Sequence, residues 1–63
     1  MNATQQSILK LIKEDKSVSA STMAERLNMT QRAVEKNIRS LREQGLLIRC
    51  GAARGGYWET KGF

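Results

Sequence analysis

Apolar positions in the first half of the chain recur at helical spacing. Ile8, Leu11 and Ile12 fall at i, i+3 and i+4, which predicts an amphipathic helix over residues 4–16, capped by Asn2 or Thr4. Lys13 and Lys16 lie near its C-terminus, where they complement the helix dipole. Ser17 and Val18 read as a short extended link, with Val18 turned inward. Ser19 suits the N-cap of a second helix over residues 20–27, whose inward positions are Met23, Ala24 and Leu27. Asn28 tolerates left-handed backbone and so ends that helix sharply, Met29 plugs the turn, and Thr30 caps the next helix. That third helix is predicted over residues 31–44, with Gly45 as its stop and Val34, Ile38 and Leu41 as its buried stripe. So short a turn between the second and third helices favours a steep crossing over an antiparallel return.

Beyond Gly45 the period changes. Residues 46–50 (Leu-Leu-Ile-Arg-Cys) are short and branched, and residues 57–59 (Tyr-Trp-Glu) have strong β propensity. Between them, Gly51-Ala52-Ala53-Arg54-Gly55-Gly56 is turn chemistry, so a hairpin is predicted over residues 46–59. Adjacent strand residues face opposite ways, which assigns Trp58 to the core and leaves Tyr57 partly exposed. The fold class expected is mainly α with a small β-hairpin, in a single domain of 63 residues.

Charge changes this picture by its placement. The net charge is +5, but residues 1–29 hold four basic side chains against three acidic ones. Residues 30–54 hold six basic (Arg32, Lys36, Arg39, Arg42, Arg49, Arg54) against two acidic (Glu35, Glu43), a balance of +4. At about 100° per residue, Arg32, Lys36, Arg39 and Glu43 stand opposite the apolar stripe of the third helix. A basic patch on one helix and the hairpin after it is the footprint of a polyanion partner, or else a solvated face kept soluble by charge.

These residues resemble a known family. Met23-Ala24-Glu25-Arg26-Leu27-Asn28-Met29-Thr30 is similar to the second helix and turn of the winged helix-turn-helix domains of bacterial transcriptional regulators, of the biotin-ligase repressor and DeoR types. Arg32-x-Val34-x-Lys36-Asn37-Ile38-x-x-Leu41-Arg42-x-x-Gly45-Leu46 resembles their recognition helix and its exit. Arg54-Gly55-Gly56-Tyr57-Trp58 resembles the wing tip and returning strand. A similar domain ends some larger helicase-like putative regulators. Asn28 departs from a frequent glycine. The resemblance implies double-stranded DNA as partner, with the recognition helix in the major groove. Thr30 and the helix N-terminus suit a phosphate. Gln31 and Arg32 suit adenine and guanine edges, and Lys36 and Arg39 suit base or phosphate. Glu35 suits a cytosine edge or an ion pair with Arg39 four residues on. Arg54, at the wing tip, suits a minor groove or its phosphates. Arg49 fits contact with DNA or an ordinary hairpin end equally well.

Other chemistries lack their parts. With no histidine and one cysteine, the chain has neither a Ser-His or Cys-His pair nor an ordinary zinc ligand set, so no enzyme, metal or cofactor is expected. The glycine loop lacks the Gly-Lys-Ser/Thr ending and following helix of a phosphate loop. Cys50 reads as a small core residue. The polar N-terminus has no signal-peptide core and no segment is long and apolar enough for a membrane, so the expected location is cytoplasmic. No small-molecule ligand is expected in this domain, which reads as a piece excised from a larger protein. Regulators of this type gain affinity by pairing half-sites, here through regions outside this chain. Protein binding, and RNA or single-strand binding through Tyr57, are the competing readings.

Overall fold

Each helix begins at a side chain that accepts a backbone N–H from three residues on. The computed structural model describes residues 2–51 and 55–61. Asn2 Oδ1 accepts from Gln5 N at 2.8 Å and opens α1 (Ala3–Glu14). Ser19 Oγ accepts from Thr22 N at 3.2 Å and opens α2 (Ala20–Leu27). Thr30 Oγ1 accepts from Ala33 N at 3.1 Å and opens α3 (Gln31–Glu43). Each bond satisfies a donor that the first helical turn leaves without a carbonyl.

The ends are as specific as the starts. α1 stops at Glu14, two residues short of the expected Lys16. Asp15 turns extended (φ −147°, ψ 101°), and its carboxylate accepts Ser17 N at 3.0 Å. An aspartate that hydrogen-bonds two residues ahead offers the backbone an alternative to another helical turn. α2 and α3 both end in the same pair of crossed bonds, the Schellman arrangement. After α2, Met29 N donates to Ala24 O (2.9 Å) and Asn28 N to Glu25 O (3.3 Å). After α3, Leu46 N donates to Leu41 O and Gly45 N to Arg42 O, both at 3.0 Å. Asn28 (φ 55°) and Gly45 (φ 77°) supply the left-handed residue in each case. Met29 and Leu46, the residues just beyond, are half-buried against the core. Because Leu46 serves this cap, the first strand starts one residue later than expected. Gln44, the expected last residue of α3, is its C-cap.

β1 (Leu47–Cys50) pairs antiparallel with β2 (Tyr57–Thr60), with Leu47 opposite Thr60 and Arg49 opposite Trp58. β2 runs one residue beyond the expected Glu59. Among the described residues the order is therefore three helices and a two-stranded hairpin, the winged helix-turn-helix order. One core joins them: Ile8, Leu9 and Ile12 of α1, Val18 of the link, Met23 and Ala24 of α2, Val34, Ile38 and Leu41 of α3, Leu47 and Trp58 of the hairpin. Leu9 is buried while Leu11 and Leu27, expected inside, are half-buried. α1 meets α2, α3 and β2, so its buried arc is Gln5, Ile8, Leu9 and Ile12. The polar member has a partner: Gln5 Nε2 donates to Asn37 Oδ1 (3.4 Å), and Asn37 Nδ2 donates to Ala33 O (2.9 Å), a polar link from α1 to α3.

The hairpin is moored at one residue. Trp58 N donates to Lys16 O at 2.8 Å, and Trp58 Nε1 donates to Val18 O at 3.0 Å. The link between α1 and α2 thereby lies along the free edge of β2. Trp58→Phe keeps an aromatic ring but strands the buried Val18 carbonyl, so it is expected to destabilise the domain by about 1–3 kcal/mol. Urea unfolding measures this, and a loss below about 0.5 kcal/mol would contradict the mooring role.

Candidate nucleic-acid interface

α3 divides cleanly around its axis. Val34, Ile38 and Leu41 are buried, whereas Gln31, Arg32, Glu35, Lys36, Arg39, Arg42 and Glu43 are exposed. At 3.6 residues per turn, Arg32, Lys36, Arg39 and Glu43 fall within an arc of about 60° centred opposite the buried stripe. The structure thus brings Arg32, Lys36 and Arg39 onto one open helix face, where they line a common shallow depression with Glu35. Thr30 sits at the head of that helix, its Oγ1 accepting from Ala33 N. Gln31 follows it on the first turn. The N–H groups of Gln31 and Arg32 have no intrahelical carbonyl, as the first turn dictates, and they add partial positive charge there.

The ion pair on this face differs from the one expected. Arg39 Nε lies 4.0 Å from Glu43 Oε1, and Glu35 is not its partner. Glu43 occupies the last turn, against the helix dipole, and a cation one turn back offsets that cost. With side chains 83% and 73% exposed, the pair is weak and gives way readily to a stronger anion.

The hairpin contributes differently from the helix. Arg54, with the rest of residues 52–54, lies outside the described residues. At the near side of that turn, Gly51 has φ 82°, and a Cβ there would meet Gly56 Cα at 3.3 Å, so backbone conformation accounts for the glycine. Trp58 is 9% exposed and Tyr57 45%, as the strand alternation predicts. The Trp58 N–H points to Lys16, away from β1, which makes Arg49 and Trp58 a non-hydrogen-bonded pair, the closer kind. The Arg49 guanidinium accordingly lies over the indole, 4.8 Å from the ring centre. Sequence reasoning missed this stacking and the Gln5–Asn37 link. Cross-strand register was the signal for the first; nothing in the spacing of Gln5 marks the second.

A family model described as "HTH domain" matches residues 4–57, the span from α1 into the start of β2. No curated protein and no solved structure matches the chain. Among the described residues, no helix is long and apolar enough to cross a membrane.

Cys50 is not the core residue expected. It is half-exposed on the outer face of the hairpin, and its thiol donates to Glu59 Oε2 at 3.4 Å. Partial desolvation, then the Glu59 carboxylate, push the thiol above its ordinary value. At neutral pH it is therefore protonated and a poor nucleophile. Alkylation by iodoacetamide is expected to be slower than for a free thiol at pH 8, and Glu59→Gln is expected to speed it. Alkylation at or above the free-thiol rate would contradict this environment.

Proposed function

The chain belongs to the HTH domain family, a family of DNA-binding domains, and from that footing we propose that it binds double-stranded DNA through the N-terminal half of α3. One observation carries the reading: Arg32, Lys36 and Arg39 stand on an open face of α3, diametrically opposite the stripe that fixes the helix in the core. A helix about 10–12 Å across fits a major groove about 12 Å wide. Its cations then face the phosphates that border the groove. In this reading Thr30 and the α3 N-terminus hold a phosphate, Gln31 and Arg32 address base edges, and Lys36 and Arg39 neutralise backbone. Arg54 enters from the sequence alone, as the residue at the wing tip that reaches the neighbouring groove.

A wider role is part of the same proposal and rests on the sequence resemblance. The domain serves a bacterial transcriptional regulator in the cytoplasm, as one module of a longer chain whose other regions pair half-sites. Single-strand or RNA binding draws less support. Trp58 is committed to the core, which leaves Tyr57 as the one exposed aromatic among the described residues, too few for a stacking platform.

Fluorescence anisotropy with a random-sequence duplex tests the proposal. Log affinity is expected to fall with log salt at a slope of about −1.8 or steeper, the counterion release of the two phosphates neutralised by Lys36 and Arg39. Lys36→Ala is expected to weaken binding to all sequences alike. Arg32→Ala is expected to relax preference at one base pair in a selection from random duplexes, where a specific contact is worth about 1–3 kcal/mol. A flat salt dependence would overturn DNA binding, and a uniform loss for Arg32→Ala would overturn its base-reading role.

A further inference from the structure

Arg39 belongs to two surfaces. It lines the outward face of α3 with Arg32 and Lys36. It also lines an open groove between the last turns of α3 and β1, of about 460 Å³, with Arg42, Glu43, Leu47, Ile48 and Arg49. Arg42 comes from the flank of α3, and Arg49 from the strand beside it. The groove is therefore lined by three arginines from two elements and one glutamate, and it shares Arg39 with the cationic face of α3.

Three features bear on what such a groove accepts. Its apolar lining is Leu47, 1% exposed, and Ile48, 37% exposed. Arg49 Cζ lies over the Trp58 indole, 4.8 Å from the ring centre, a cation–π contact that restricts the guanidinium and reduces the entropy lost on binding an oxyanion. Arg42 lies in the final turn of α3, where the helix dipole is negative and favours a cation. That same dipole disfavours an anion, so any anion affinity in the groove comes from the arginines. Glu43 opposes an anion here, but its contact with Arg39 is long and solvent-exposed.

We propose that this groove takes a phosphate of the DNA backbone strand that borders α3, with Arg42 and Arg49 as contacting residues and Trp58 positioning Arg49. The proposal rests on the DNA-binding reading. It extends the contact surface past the recognition face to the junction of helix and hairpin. Arginine rather than lysine suits such a place, because a fixed fork can meet two phosphate oxygens at once.

The test compares salt dependence for Arg42→Gln, Arg49→Lys and Arg49→Ala with the unaltered domain, using the same random-sequence duplex. Lys10→Ala, on the exposed side of α1, controls for net charge, and thermal melts confirm that each variant is folded. Between about 50 and 200 mM salt, one neutralised phosphate contributes about a 3.5-fold loss of affinity, so Arg42→Gln and Arg49→Ala are each expected to remove part of that factor and, combined in one variant, the whole of it. Arg49→Lys is expected to keep that factor, since the charge remains, but to bind more weakly at every salt concentration. Lys10→Ala is expected to leave the slope unchanged. A steep wild-type slope that survives Arg42→Gln and Arg49→Ala would overturn the groove while leaving DNA binding by α3 intact. A flat wild-type slope would overturn both. Inorganic phosphate provides the remaining arm. If millimolar phosphate shifts the Arg42 and Arg49 Nε–Hε signals and duplex does not, the groove is a free-anion site and the backbone assignment is wrong.

Discussion

The hairpin depends on two hydrogen bonds from one residue. Two strands of four residues do not hold together alone in water. Here β2 has a neighbour on both sides. β1 pairs along one edge, and the link between α1 and α2 meets the other through Trp58 N and Lys16 O. The indole N–H, on Val18 O, ties the same link to the side chain that fills the core beneath it. A single residue thus joins the first helix connection, the hairpin and the core. Because the Arg49 guanidinium lies over that indole, the mooring also sets where this cation stands relative to α3.

α3 carries the complementary constraint. Its buried stripe of Val34, Ile38 and Leu41 leaves no rotational freedom, and the Gln5–Asn37 link pins it further to α1. Caps at Thr30 and Gly45 set its length to a little over three turns. The opposite arc then keeps its cations on one fixed side of the helix. For a domain this small, with a marginal core, such stiffness comes from capping and mooring more than from buried area.

Much of this was legible in the chain. Caps announce themselves locally: Ser19, Thr30, Asn28 and Gly45 work within three or four residues of themselves, and their roles follow from side-chain chemistry. The stripe of α3 was equally plain, because its outer face is so highly charged. What escaped depends on partners far along the chain. Leu9 rather than Leu11 is buried because β2 and α3 both press on α1. Asp15 ends α1 early through a turn that competes with a helix the local sequence also permits. Arg39 chose Glu43 over Glu35, two partners at equal spacing that periodicity cannot separate. The groove of Arg42 and Arg49 exists only once β1 is laid beside α3. Arg54 lies outside the described residues and enters from the sequence only.

The central claim is that the cationic face of α3 is where duplex DNA docks. Backbone amide shifts of the isotopically labelled domain, followed during titration with random-sequence duplex at low salt, test it most directly. The largest shifts are expected to cluster at residues 30–42 and in the hairpin near its turn, with α1 positions such as Gln6 and Lys10 unmoved. Shifts that avoid residues 30–42, or that spread evenly over α1, would contradict it.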